Sequence, residues 1–398
     1  MSRERGHAVA FVLALLGCLV VATLLVHESG RLAAQKRRLV DSADAAALSA
    51  AQFEARVLNL ESYLNRAIVA DQAAMAQSVS LRSWLDHMTR TVSRVDQVAR
   101  YVPYLAAATR TLRGLMQGTN RIAQPVLTAG EGALALYTSE FALAGEALHL
   151  AAAPAAVDLA RRSASANAGA ALSPRGEALL AAHVARWSGH TRRYAGAART
   201  RQQDLIERSL DRFTTDRGAT LANLAIVKLE KRGGTDLLGF DTWRGMDTFA
   251  LHRRDLFGWH ESLSIGWGAA EQGAATAARG RHGNSYRVNR HTSRAAMRDL
   301  RSSRLSRGLP ALRDIADTGA RDTSLRLDLE FEVAPAPAVL PLPGAARNGD
   351  AARMLALSSA RVFHERPARR ADGRRELGSL YSPYWQARLA TPPWPVLP

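Results

Sequence analysis

Hydrophobic and polar positions change their period several times along this chain, and each change predicts a different element. Ala8 to Val26, AVAFVLALLGCLVVATLLV, has no period because every position is apolar or small, without charge or proline. As a helix rising about 1.5 Å per residue it reaches roughly the ~30 Å of a bilayer's hydrocarbon core, which predicts a transmembrane helix. From Leu32 to about Ser80 the spacing is helical. Phe53, Val57, Leu60, Leu64 and Ile68 recur three and four apart as one apolar stripe, while Arg56, Glu61 and Arg66 fall away from it. The Ala-rich segment 43–51 has side chains small enough for a second helix to approach closely.

Between Trp84 and Arg212 the reading stays helical, with breaks expected at Pro103, at Gly118-Thr119-Asn120 and at Pro125. Residues 162–175, RSASANAGAALSPR, read as a loop, followed by a helix from about Gly176 to Phe213. Around Gly218 the period shortens. Segments 223–230, 243–252, 259–267 and 354–363 read as strands, with Gly233-Gly234 as a hairpin turn. Leu325, Leu327, Leu329, Phe331 and Val333 alternate with Arg326, Asp328, Glu330 and Glu332, which predicts an antiparallel sheet with one face buried and one wet. The fold class expected is therefore α+β: a single N-terminal transmembrane helix running into a long amphipathic helix, a helical middle section and a C-terminal antiparallel β-rich domain. The expected divisions are a tail at 1–7, the span at 8–26, a helical stalk at 27–213 and a β-rich domain at 214–398. The last contains a basic loop at 271–308 and a Pro-rich linker at 334–344.

Charge changes this picture less than its size suggests. The net charge is +17 over 398 residues, but Lys stands only at 36, 228 and 231, so 50 of the 53 basic residues are Arg. They are scattered, and no zinc-finger, RRM or helix-turn-helix signature focuses them, so anionic lipid or acidic partners fit better than nucleic acid. Cys18, the only cysteine, lies inside the apolar run, which rules out an internal disulfide. Leu15-Leu16-Gly17-Cys18 has the form of a lipobox, but the chain stays apolar after it, which favours a retained anchor over an acylated cysteine or a cleaved signal.

Arg5-Gly6-His7-Ala8 before the apolar run and Asp41-Ser42-Ala43-Asp44-Ala45-Ala46-Ala47-Leu48-Ser49-Ala50-Ala51 after it resemble the TadE/TadG-like proteins of the tight-adherence (Flp) pilus assembly system. Tyr63 to Ala70, YLNRAIVA, is similar to a longer pilus-assembly subgroup, and Ser382 to Leu389, SPYWQARL, carries a third similarity. The resemblance implies an inner-membrane, single-pass protein with its body in the periplasm, whose partners are other pilus or secretion machinery. TadE-type members place a Glu five residues after the glycine for prepilin peptidase, whereas Phe11 stands there in this chain. That departure points to the uncleaved, TadG-like branch. Counting charges gives the opposite orientation: more basic residues follow the span (Arg31, Lys36, Arg37, Arg38) than precede it (Arg3, Arg5).

Positive signs of catalysis are lacking. Gly233-Gly234 has no following Lys-Ser/Thr, and neither G-x-S-x-G nor H-E-x-x-H occurs. His183 and His190, seven apart, share a helix face without a third ligand. His252, Asp255, His260 and Glu261 form the nearest approach to a cluster of acids and bases. The expected protein is thus a non-enzymatic, anchored, pseudopilin-like or TadG-like pilus component with no catalytic, cofactor or metal residues and no cofactor. It has scope for self-association through helix 53–68. The alternative is an anchored periplasmic enzyme with a site near His252–Glu261.

Overall fold

A computed structural model of the chain describes residues 5–273, 294–303, 306–337, 353–368, 370–374 and 376–392. Within the expected basic loop, residues 274–293, 304 and 305 lie outside the described residues, as do 338–344 of the Pro-rich linker and 1–4 of the tail.

The helices and strands follow in chain order. They are α1 (Arg5–Ala99), α2 (Pro103–Ala168), β1 (Ala171–Leu172), α3 (Pro174–His190), β2 (Thr191–Arg193), α4 (Thr200–Ser209) and α5 (Arg212–Thr215). Then come β3 (Ala219–Leu224), β4 (Val227–Leu238), β5 (Thr242–Asp255), β6 (Gly258–Gly273), α6 (Arg294–Arg298), β7 (Arg301–Ser303) and β8 (Arg313–Ile315). The last three are β9 (Leu325–Val333), β10 (Met354–His364) and β11 (Trp385–Ala390). The class is α+β, with a long N-terminal apolar helix, a helical middle and antiparallel sheets towards the C-terminus.

Two compact units draw on interleaved segments: Met1–Ser62, Ala147–Arg192 and Asp314–Pro398 in the first, Tyr63–Glu146 and Arg193–Arg313 in the second. The first unit holds the antiparallel sheet β1-β9-β10-β11. Its core joins Leu39, Leu58 and the α1 alanines to Leu325, Leu327, Leu329, Phe331, Val362 and Trp385. The polar face of β9, expected to be wet, is covered at its centre, with Asp328 and Glu330 nearly inaccessible and Arg326 and Glu332 half-buried. The N-terminus of α3 covers it. Ser173 caps α3 by accepting from Gly176 N at 2.9 Å and donates to Glu330 Oε1 at 2.7 Å, while Pro174 at the first turn needs no donor.

The second unit holds the sheet β3-β4-β5-β6-β7. Residues Val79 to Thr91 of α1 lie directly on it because glycines line the contact. A Cβ on Gly268 would stand 1.9 Å from the Ser83 carbonyl oxygen, and one on Gly266 would stand 1.8 Å from Thr91 Oγ1. Polar side chains tie α1 to α2: Asn120 donates to Asp86 Oδ1 at 2.8 Å, and Arg113 pairs with Asp96 at 2.7 Å.

Several expected boundaries are corrected. The break at Pro103 is real, since α1 ends at Ala99 and α2 begins with the proline. The breaks at Gly118-Thr119-Asn120 and Pro125 are not, because packing against α1 carries α2 through them to Ala168, shortening the expected loop at 162–175. The helix expected from Gly176 to Phe213 ends at His190 and resumes as α4 and α5. Gly233-Gly234 lies mid-strand in β4, paired with Asp247 and Met246, and the hairpin turns at Gly239 to Asp241 instead.

The expected stripe is buried at Val57 and Ile68 and half-buried at Phe53 and Leu64, and it fails at Leu60. Leu60 is 45% exposed, whereas Glu61 is only 3% exposed. The buried face of α1 therefore includes Val57 and Ile68 of the expected stripe but extends through Glu54, Leu58, Glu61, Asn65, Gln72, Met75 and Val79, several of them polar.

The Gly268→Ala chain should lose stability by about 1–3 kcal/mol or more, since backbone rather than a flexible side chain meets the new methyl group. Gly114→Ala, on a helix with open space around it, should gain up to about 1 kcal/mol. Thermal melting of both variants separates close approach from helix propensity.

Candidate functional site

The run from Ala8 to Val26 presents large apolar side chains on all sides, and none of its most apolar window, at mean hydropathy 3.0, is covered by protein. Water is a poor solvent for such a surface, so the run is a candidate membrane span. By length and composition α2 passes the same test at the lower hydropathy of 1.2, with 22% of its window buried. Cys18 is exposed within the first run.

Immediately after this run, the Ala-rich segment of α1 becomes a packing surface. Ala43, Ala46, Ala47, Ala50 and Ala51 are buried in one core with Ala152, Ala153, Ala156, Ala160 and Ala164 of α2. The close helix approach expected from 43–51 is therefore observed. Ser42 donates to the Ala164 carbonyl at 3.3 Å, and Asp44 accepts from Ser358 of β10 at 2.6 Å.

Within the next three turns, two carboxylates enter the core, each met by a histidine. Glu54 Oε1 lies 2.6 Å from His183 Nε2, whose Nδ1 reaches the Arg326 carbonyl at 3.1 Å. Glu61 Oε1 lies 3.0 Å from His149 Nδ1, and His149 Nε2 lies 3.0 Å from Thr191 Oγ1. Trp187 stacks on the His149 ring at 5.0 Å and donates to its carbonyl at 3.1 Å. The acid–histidine–hydroxyl order is that of a nucleophilic triad. Yet Glu61, His149 and Thr191 are each at most 3% exposed, so no substrate reaches the hydroxyl, and the arrangement satisfies buried polar groups. Sequence reading placed His183 on a shared face with His190. Both lie on α3, where His183 pairs with Glu54 and His190 meets Trp385 edge-on at 5.8 Å, so each has its own partner in the core. Among the described residues no group of three ligands could hold a metal.

The second unit has its own buried pair. Arg217 grips Asp247 through Nε and Nη2 at 2.8 and 2.9 Å, and Ser83 of α1 donates to the same carboxylate at 2.7 Å. Gly233 makes room, since a Cβ there would stand 2.2 Å from Asp247 Oδ1. His87, one turn along α1, is almost fully buried, and desolvation, only partly offset by Asp247, pushes its pKa down to about 4.

The alternative site of His252, Asp255, His260 and Glu261 lies on the β5–β6 hairpin. Register sets His252 opposite Glu261, and His260 Nε2 lies 3.1 Å from Asp255 at the open tip. His252 itself is buried, its pKa lowered by desolvation, so the four residues do not share one accessible face.

Residues 6–52 match the family model described as putative Flp pilus-assembly TadE/G-like. No curated protein and no solved structure matches the chain. The matched segment holds the exposed apolar run and the alanine surface, and stops just before Glu54. The further similarities at 63–70 and 382–389 lie outside the match. They have structural roles here: Asn65 donates to the Arg313 carbonyl at 2.9 Å, and the Trp385 backbone exchanges two hydrogen bonds with the Asn59 amide at 2.8 and 2.9 Å. The TadE/G-like likeness points to a structural part in pilus assembly.

His87 gives this packing a pH signature. Its folded pKa of about 4 lies below the unfolded 6.5, so the unfolded chain takes up the proton first. Its share of stability is intact above about pH 6.5 and falls away towards pH 4, by about 2 kcal/mol between pH 7.5 and 5. His190, also lowered to about 4 by burial, adds in the same direction. Denaturant unfolding in mild detergent should show the loss, and His87→Gln should remove the part belonging to His87.

Proposed function

We propose that this chain is an inner-membrane-anchored, TadG-like component of a Flp-type pilus assembly or secretion machine, non-enzymatic, with its body in the periplasm. The observation that carries the reading is the TadE/G-like match over 6–52. It coincides with an apolar run whose most apolar window is uncovered, followed by an alanine surface built for helix packing. The run anchors, the alanine surface fixes the anchor helix to the body, and the buried acid–histidine pairs hold that body together. The domain plan of a short cytoplasmic tail, one span and a periplasmic body goes with this reading, as do partners among the pilus machinery.

Orientation is the sharpest test, because charge counting around the span opposes it. Alkaline phosphatase fused to the C-terminus is expected to be active in cells. An inactive phosphatase, with a fluorescent cytoplasmic reporter glowing at the same place, overturns the periplasmic body.

Processing is the second test. With Phe11 in place of the peptidase-recognised Glu, the mature chain is expected to keep Gly6 and the residues before it. Intact-mass measurement of the membrane-extracted protein reads this directly. A mass lacking Met1 to Gly6 would assign the chain to the cleaved branch, and diacylglycerol on Cys18 with the first seventeen residues gone would make it a lipoprotein.

A further inference from the structure

The outward face of α2 follows a period that no contact within the chain explains. Leu112, Leu115, Ile122, Val126, Leu136 and Leu143 are all exposed, Ile122 by 71%. They fall on two positions of a seven-residue repeat, one counting from Leu105 through 112, 119, 126, 133 and 140, the other from Ala108 through 115, 122, 129, 136 and 143. Every one of these twelve positions is exposed, and ten are apolar, Thr119 and Glu140 being the others. A 3.5-residue period sustained over more than five repeats is the seam of a left-handed coiled coil, and its second helix is missing from the described residues.

We propose that a second copy of this chain supplies that helix, so that α2 pairs with α2 in a parallel dimer. Three observations favour a copy. The seam is about 57 Å long, and at a helix width of about 10 Å it offers about 600 Å² per copy, about 1,200 Å² in all, enough for a specific dimer. The positions flanking it from Tyr104 to Ala144 carry no charged residue, so the flanks set no like charges of two copies against each other. The same flanks hold Gly118, Ala123, Gly130 and Gly132, which let the helices come close. Glu140, alone among charges in the seam, would stand beside its own copy and set the register at a cost in affinity. The same carboxylate argues against lipid as the occupant. The parallel sense rests on the membrane anchoring proposed above, since copies held in one membrane share a direction.

Cross-linking tests the pairing on the full-length chain. In a Cys18→Ser background, mild oxidation of membranes carrying Ile122→Cys or Leu136→Cys is expected to give a species of twice the chain mass. It should be at least tenfold more abundant than from Gln117→Cys, which is exposed but off the seam. In detergent without cysteines, Glu140→Leu is expected to tighten the dimer about tenfold by sedimentation. Equal cross-linking at Gln117, an adduct of another mass, or an unchanged dissociation constant in Glu140→Leu each overturns the proposal. So does a chain that fails to cross-link, whether a water-soluble maleimide labels Ile122→Cys freely (an open seam) or not at all (a lipid-covered one). A failed anchor shows separately, as protein in the soluble fraction, and leaves the detergent experiment interpretable.

Discussion

A carboxylate taken out of water must find a partner, and the inner seam of α1 buries several. Glu54 and Glu61 are answered by His183 and His149 in the first unit; in the second, Arg82 of α1 answers Glu131 of α2 at 2.7 Å. Removing one member of such a pair costs about 3–5 kcal/mol, because the other is left buried and unpaired. Whole domains are stable by only about 5–15 kcal/mol, so each of these contacts sets a condition on the fold. The histidines sit on α2 and α3, which fixes where those helices must lie against α1 in the first unit. Ser83, on the same seam, reaches the Asp247 carboxylate, which Arg217 already holds. The second sheet is thereby brought to α1 as a polar contact as well as an apolar one.

Small residues make the remaining contacts possible. Alanines at 43–51 and 152–164 bury little area each, but they bring two helix backbones close enough for dispersion to act along many residues. Gly266 and Gly268 do the same between α1 and β6. The arrangement has little tolerance for added bulk, which is why the TadE/G-like segment is so strongly biased towards alanine between the span and Glu54.

Legibility in the sequence followed the physics of each element. The apolar run, the end of α1 before Pro103 and the alternating strand at β9 were all readable, since each follows from local composition or period. On α1, Val57 and Ile68 were read correctly as buried, but hydrophobicity alone selects Leu60 over Glu61, and Glu61 is buried only once His149, nearly ninety residues away, meets it. Gly233-Gly234 looked like a turn because nothing local announces that Asp247 will need the space of a missing Cβ. The face of β9 expected to be wet is covered at its centre for a similar reason, since Ser173 and α3 cover Glu330 through a contact of long sequence separation. The candidate enzyme site suffered the reverse error: proximity in sequence suggested one cluster, but β5 and β6 bury His252 opposite Glu261 and leave Asp255 and His260 at the exposed tip.

Two apolar helix surfaces stay uncovered among the described residues, and their periods differ. From Ala8 to Val26 the apolar character goes all the way round the helix, as suits a medium that touches every side, which lipid does. Along α2 it keeps to one face at 3.5 residues per turn, with Arg82 of α1 and Glu131 of α2 paired behind it and Glu140 within it. An isotropic solvent gives no reason for a stripe, and a bilayer gives no reason for a carboxylate in one. A helix of matching period accounts for both. The two exposed surfaces therefore call for different occupants, and a chain that leaves both open is built to be held in a membrane and to be met by another protein surface.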